Sequence, residues 1–498
     1  MYYNKKNRNS NYKSYTYNLN DFSKGVNLEV DENALGMNYA SMMYNVSYKD
    51  KTLKKGYGVK SLMLPDASNE GQWLTYNAPI ISAKPKKIWN VHINADDSEQ
   101  ESNILLVYCD DGYIYKTFIE NFTPSYTRIS AKFTSTPIVL NYKYNGKFVV
   151  VICSPTDKMY LWNLSSKPVE CSKNFHFTSL CSHYERVFAT TSSNPREIRF
   201  SKNFDVTNWE ENDNAGGFIE LVDERGDINK VMSFNDYVYL IRDFGISRLS
   251  AYGDQSEFSV THITKSSNYI YPNTATLCGD RIVYLTSDGL HYCIGGNIHK
   301  YNLKISSMID KNSIKFATSC YYNGKYYLAV RLNFDDGKSV GCENEPDYKN
   351  NAIVEFDLQT RGISIMRGID VCDMQGLVCK DWQKLALIFN GSNSQKMGEL
   401  TNDGKAFDVI LNKSWQSPVS DLGTLSTKTV RNISLITPYN IKVVVKSEQE
   451  KQVLNFSGSK QIQTAVCDVK GTRIGIEINS NDENIYVSNV EILLDVVC

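Results

Sequence analysis

The stretch Ile104–Gly112 reads ILLVYCDDG: an apolar run closed by an Asp-Asp-Gly turn. The same phrase returns along the chain. Apolar runs begin at Phe148 (FVVVIC), Val187 (VFATT), Val238 (VYLIR), Ile282 (IVYLT), Tyr326 (YYLAV) and Leu385 (LALIF). Turns follow at Ser154–Asp157, Ser193–Glu197, Arg242–Gly245 and Ser287–Gly289, in a longer insert from Asn333, and at Asn390. Successive starts lie about 40–60 residues apart, the period of four-stranded propeller blades. A second turn precedes each run. It reads YNGK at Tyr144–Lys147 and again at Tyr322–Lys325, and HYER, FNDY, CGDR and DWQK occupy the matching place elsewhere. Asn-Gly fits the left-handed positions of a type I′ hairpin. One such unit cannot cover both of its sheet faces, whereas units stacked radially cover each other and leave few open edges.

The expected fold is therefore all-β: a β-propeller of about seven blades, with an N-terminal anchor segment and a C-terminal β-sandwich. Residues 1–20 read as a flexible polar arm and 21–78 as an anchor segment of a short helix plus strands. Residues 79–408 read as the propeller and 409–498 as the sandwich. The helix is placed over Glu32–Asn45, where Ala34, Leu35, Met37, Ala40, Met43 and Tyr44 recur at spacings of three and four. The sandwich rests on alternating runs at Arg431–Thr437, Ile441–Lys446, Gly471–Ile478 and Asn484–Asp495.

Composition narrows function. The 498 residues carry a net charge of −1, so no global field draws nucleic acid or anionic membrane. No apolar run reaches about 18 residues, and no membrane span is expected. The N-terminus lacks the apolar core of a secretory signal. The 12 cysteines contain no CxxC pair and suit a reducing environment. Local basic runs occur at Lys51–Lys60 and Lys84–Lys87; they could meet phosphate or protect strand edges.

Chemistry-bearing sets are scarce. Asp pairs stand at 96–97, 110–111 and 335–336, and two of the three precede a turn glycine. Neighbouring carboxylates on a strand point to opposite faces, which favours turn roles over paired acid–base catalysis. His291 and Cys293 share a strand face but have no second pair to complete a metal site. No HExxH, GxSxG, Walker-type loop or Asp-box repeat occurs. The expectation is a non-enzyme without cofactor or metal. The long acidic, Gly-containing insert Lys202–Gly226 reads as a contact or gate loop through Asn203, Asp205, Trp209, Glu210, Asp213 and Gly216.

The segment DFSKGVN…LGMNYASMMYNVSYKDKTLKKGYGV resembles the opening of tailed-bacteriophage virion propellers. Phe22, Gly25 and Asn27 match an F-x-x-G-x-N stretch, Ala40 and Asn45 the element that follows, and Leu53, Lys55 and Gly58 a basic L-x-R-x-x-G stretch. Lys replaces Arg at 55, which keeps charge but loses the planar fork. Near the other end, KSWQSPVSDLG…KTVRNISL, with Trp415, Gly423, Lys428 and Val430, is similar to the start of the last β domain in such proteins. The resemblance, which includes tail nozzle or muzzle proteins, implies a homo-oligomeric ring, a hexamer, in the phage tail or neck. The ring would continue or close the DNA ejection channel, contact other tail or neck proteins, touch genomic DNA transiently, and assemble in the bacterial host cytoplasm. Phe22, Gly25, Asn27, Asn45, Gly56 and Gly58 are the corresponding candidate assembly anchor. Two rivals remain. A receptor- or glycan-binding propeller would expose tryptophans, with Trp209 the best placed and Trp162 and Trp382 expected between blades. A glycoside-cleaving propeller would need carboxylates converging on the axis.

Overall fold

The computed structural model describes all residues except 1–11, 28–34, 77–82, 95–100, 124–126, 164–166, 172–174, 213–214, 302–304, 335–344 and 498. Among the described residues there is no α-helix; the regular structure is strand, with single 3-10 turns.

Each repeat of the sequence is one antiparallel sheet. Sheet 1 spans Pro85–Lys132, sheet 2 Ile138–Glu170, sheet 3 Phe177–Glu220, sheet 4 Ile228–Lys265, sheet 5 Ile270–Lys300 and sheet 6 Thr318–Arg367, each of four strands in sequence order. Sheet 7 begins with Val371–Val378, Gln383–Phe389 and Met397–Thr401. Its next strand, Gly58–Ser61, comes from near the other end of the chain and pairs antiparallel with Met397–Thr401.

The apolar runs are the second strands of these sheets. Arg186–Thr191, for example, is buried at every position. A strand flanked by neighbouring sheets on both faces loses the usual alternation and becomes continuously apolar. The YNGK turns hold Asn145 at φ 50° with Gly146 at 78°, and Asn323 at 48° with Gly324 at 76°, as a type I′ turn requires.

A separate apolar core lies between each sheet and the next. Val91, Leu106 and Trp162 pack between sheets 1 and 2. Val151 and Phe177 do so between 2 and 3, Phe188 and Leu240 between 3 and 4, and Ile241 and Tyr284 between 4 and 5. Leu285 and Leu328 join 5 and 6, and Ala329 and Leu387 join 6 and 7. Leu377 and Ile388 of sheet 7 then share a core with Ile88 and Val107 of sheet 1. The same seam carries polar bonds: Asp373 accepts from the Ile88 amide at 2.9 Å and pairs with Lys87 Nζ at 3.1 Å. The architecture is all-β and consistent with a β-propeller.

Two further sheets form from both chain ends. One orders Tyr12–Leu19, Val490–Val497, Lys428–Thr437 and Ser459–Gly471; the other orders Met42–Tyr44, Lys413–Gln416, Ile474–Ser480, Ile441–Ser447 and Lys451–Phe456. Val430, Ile433 and Ile492 of the first share a core with Val443, Ile476 and Ile478 of the second.

Three expectations are corrected here. The flexible arm is a strand over Tyr12–Leu19, paired residue for residue with Val490–Val497; its inward Leu19 is buried and its Tyr-Thr content suits a sheet edge. The helix does not form in the described part of Glu32–Asn45. Met42–Tyr44 is a strand on Lys413–Gln416, and Ala40, Ser41, Met43, Tyr44, Asn45 and Val46 are all buried, an all-round burial that one helix stripe could not achieve. The division into an anchor, a propeller and a sandwich also blurs, because N-terminal strands complete both the seventh sheet and the terminal pair.

Candidate functional site: the joint and the rim loop

The six anchor residues converge on the joint between the seven repeat sheets and the terminal sheets. Phe22 is fully buried and meets Trp415 edge-on at 4.9 Å between ring centroids. Gly25, at φ 66°, sits over the Tyr48 ring, and its carbonyl accepts from the Ala40 amide at 2.9 Å. The Asn27 amide returns a bond to the Ala40 carbonyl at 2.9 Å.

Asn45 is the centre of the joint. It is fully buried in the left-handed region, at φ 55°. Its Nδ2 donates to the carbonyls of Arg367 at 3.2 Å and Asn412 at 2.8 Å, and its Oδ1 accepts from the Arg367 amide at 2.8 Å. Its backbone amide donates to the Ile365 carbonyl at 2.8 Å. One side chain thus ties the outer strand of sheet 6, Ile363–Arg367, to both chain ends. Gly56 donates to the Asn45 carbonyl at 3.0 Å, and a Cβ there would lie 2.6 Å from Asn45 backbone. A Cβ at Gly58 would lie 2.5 Å from the Lys405 carbonyl oxygen. Both glycines answer to close backbone approach.

Charged groups reinforce the same joint. Arg367 pairs with buried Glu345 at 2.8 Å and lies over the rings of Phe334 and Tyr44 at 4.0 and 4.8 Å. Lys413 donates to the Leu411 and Asp482 carbonyls at 2.9 and 2.8 Å, and burial lowers its pKa to about 8. Lys428 is also buried, donating to the Thr424, Ser426 and Thr472 carbonyls. The anchor therefore holds this chain to itself, and Phe22 and Asn45 present no surface to another molecule.

The insert Lys202–Gly226 begins between the third and fourth strands of sheet 3, away from the inner strand Phe177–His183. Trp209 is 6 % exposed, tilted against Phe177 at 4.7 Å, with Nε1 donating to the Val206 carbonyl at 2.6 Å. The expectation of an exposed Trp209 is thus overturned: the indole plugs the loop to the core between sheets 2 and 3. Asp205 accepts from the Thr207 amide and hydroxyl at 3.0 and 2.6 Å. Gly216 donates to the Glu210 carbonyl at 2.8 Å, and a Cβ on it would lie 2.5 Å from the Phe200 carbonyl oxygen. Asn203 and Glu210 are exposed, and Asp213 lies outside the described residues. The loop is held to the core between sheets 2 and 3 by its own contacts.

Trp162 is buried between sheets 1 and 2, and half-buried Trp382 lies against the core between sheets 7 and 1, as expected. A tryptophan passed over in the sequence, Trp73, is 38 % exposed and stands edge-on to Trp382 at 5.6 Å. Of the Asp pairs, Asp110 accepts from the Lys84 amide, and Asp111 from the Tyr113 amide and Tyr115 hydroxyl, which are turn and packing roles. The pairs at 96–97 and 335–336 lie outside the described residues. His291 bonds Asp288 at 3.1 Å while Cys293 is buried between sheets 4 and 5. Among the described residues no cluster of three or more His, Cys, Asp or Glu side chains is placed to hold a metal ion. The basic runs are partly neutralised, Lys60 by Glu399 at 3.1 Å and Lys87 by Asp373.

On the first strand of sheet 4, Lys230 reaches the Ala275 and Pro272 carbonyls of sheet 5 at 2.6 and 3.4 Å. Burial, helped by Lys87, lowers its pKa to about 8. Thr276 and Ser319 bridge sheets 5 and 6 at 2.6 Å. These inner groups pin one sheet to the next; sequence periodicity could not reveal them because each contact joins residues about 45 positions apart.

No family model matches the chain, and no curated protein matches it. Among solved structures it is similar to the computationally designed Ika8 protein, at 8 % identity and a TM-score of 0.38, over 64 % of this chain and 96 % of that one. It is also similar to BBS1N in complex with ARL6DN, soaked with lead or with mercury. Both show 10 % identity over 68 % of this chain and 96 % of that chain, with TM-scores of 0.40 and 0.41. Likeness at this level says nothing of activity or partners.

Proposed function

We propose that this chain is a structural protein of a tailed-bacteriophage virion. Each copy would be a closed seven-bladed propeller carrying a two-sheet terminal domain. Copies would form a ring, a hexamer, in the tail or neck, continuing or closing the DNA ejection channel. The observation that carries the reading is the joint. The residues behind the phage resemblance come from opposite chain ends, yet Phe22 lies on Trp415, while buried Asn45, Lys428 and Val430 belong to the same region or its core. Motifs that share a structural reason are stronger grounds for kinship than isolated matches.

The terminal sheet supplies a surface for assembly. On its outward face Val466 is 79 % exposed, Ile462 70 % and Ile436 42 %, set among Ser434 and Thr464. β-Branched residues this exposed on one sheet face fit an interface. The rim position of the Lys202–Gly226 loop and the inward packing of Trp209 favour a contact role for that loop over a gate. Sedimentation velocity tests the reading. The wild-type chain should sediment as a multi-copy ring, and Ile462→Lys with Val466→Lys should shift it to monomer. Wild-type monomer at all concentrations would refute it.

A further inference from the structure

We propose that the open edge of the strand Tyr12–Leu19 pairs antiparallel with the same strand of a second copy, about a two-fold axis through Tyr15. The contact uses a sheet edge, not the outward face that carries Ile462 and Val466. It stands whether or not copies close into a ring.

The first ground is the set of backbone groups that the fold leaves over. The Val497 amide donates to the Thr427 carbonyl at 3.0 Å, toward the strand Lys428–Thr437. Alternate residues of an antiparallel strand turn their bonding groups to opposite neighbours. Val496 and every second residue before it therefore bond Lys13, Tyr15, Tyr17 and Leu19. Tyr12, Ser14, Thr16 and Asn18 aim their N–H and C=O groups the other way, where no strand of the sheet stands among the described residues.

The second is a contrast with the opposite edge of the same sheet, Ser459–Gly471. That strand shifts register against Lys428–Thr437, and side chains occupy its outer groups. Gln452 Oε1 accepts from the Asp468 amide and Glu450 Oε2 from the Lys470 amide, both at 3.0 Å, and Ser447 Oγ donates to the Lys470 carbonyl at 3.0 Å. Irregularities and caps of this kind keep an edge from recruiting strands. Tyr12–Leu19 has neither. Its register with Val490–Val497 is unbroken, and it holds no proline and one charged residue, Lys13.

The third ground names the occupant, because the strand is complementary to itself. With Tyr15 on the axis, Tyr12 meets Asn18 of the second copy and Ser14 meets Thr16 of the second copy. All the outward residues then bond at once, which no other antiparallel register achieves. Lys13 stands opposite the Tyr17 ring of the second copy and not opposite a second Lys13, so like charges do not meet. Tyr15, 52 % exposed, faces its own counterpart. The pairing joins two four-stranded sheets into one. Each strand hydrogen bond gains little over water, and association is costly. One contact alone is therefore weak, and is populated at high concentration or between copies already held together elsewhere.

The test is disulfide trapping of the full chain carrying Ile462→Lys and Val466→Lys, so that the outward face contributes nothing. Tyr15→Cys sets two thiols at a close pair of the ladder, about 4.5 Å between Cα atoms and within disulfide reach. Thr16→Cys sets them out of line. Under mild oxidation at rising concentration, Tyr15→Cys should give at least about tenfold more linked dimer than Thr16→Cys, with the bond mapped by mass spectrometry to the introduced cysteine. Adding Thr16→Pro to Tyr15→Cys deletes an outward amide and no bond within the chain. It should lower the yield at least about tenfold with an unchanged thermal midpoint. Equal yields from the two cysteine variants, including none from either, would overturn the proposal; an edge covered by residues 1–11 of the same chain, or by a strand of another protein, gives that result. Trapping that Thr16→Pro leaves unchanged would overturn it as well.

Discussion

Asn45 offers the sharpest test of the joint. Replacing it by alanine removes three hydrogen bonds, to the Arg367 amide and to the Arg367 and Asn412 carbonyls, at a site with no solvent to substitute. An orphaned buried donor costs about 1–3 kcal/mol, and each carbonyl a smaller share of the same range. Alanine also holds the left-handed backbone less well than asparagine, adding about 1 kcal/mol. The sum is roughly 3–5 kcal/mol, large for one substitution. Asn45→Gly loses the same bonds but meets no penalty at φ 55°, so it should recover about 1 kcal/mol of that loss. Urea unfolding followed by tryptophan fluorescence is the assay, because Trp415 at the joint contributes to the signal. A loss under about 1 kcal/mol for Asn45→Ala, or glycine no better than alanine, would refute the bonding scheme.

Other outcomes follow from the packing and the buried charges. Asp373→Ala leaves Lys87 and the Ile88 amide without their partner across the seam between sheets 7 and 1, and should cost about 2–4 kcal/mol in the same assay. Trp209→Ala empties the plug against Phe177 and should cost about 3–5 kcal/mol, with new protease cleavage inside Lys202–Gly226 as a second readout. Lys230 has a folded pKa of about 8, below about 10.4 when unfolded. Between those values the unfolded state binds more protons, so this group's contribution to stability rises with pH. Buried thiols such as Cys320, whose pKa is pushed up to about 12, act in the opposite direction. The measured quantity is therefore the stability difference between wild type and Lys230→Met, which should move in favour of wild type from pH 8 to pH 10. A flat difference would place Lys230 in a wetter site.

The repeating part of the chain was readable because it obeys two short rules. Apolar runs such as Val238–Arg242 mark strands covered on both faces, and Asn-Gly pairs such as Asn323–Gly324 mark the hairpins before them. The ends were harder. Glu32–Asn45 carries apolar residues at helical spacing, but spacing cannot tell a helix stripe from a segment enclosed on several sides, and Met37, Ala40 and Met43 are enclosed. Tyr12–Leu19 looks like a polar tail because an edge strand shows most of its side chains to water; only its pairing with Val490–Val497, over 470 residues away, reveals it. The same distance hides the completion of sheet 7 by Gly58–Ser61. Trp209 was misplaced for a related reason: an acidic, Gly-containing loop suggests exposure, yet one indole within it supplies the attachment.

Electron microscopy of the purified full-length chain tests the proposed role most directly. Rings with six-fold symmetry, each protomer a seven-bladed disc with its terminal sheet buried against the next, are the predicted result. A field of single propellers with that terminal face exposed would contradict it.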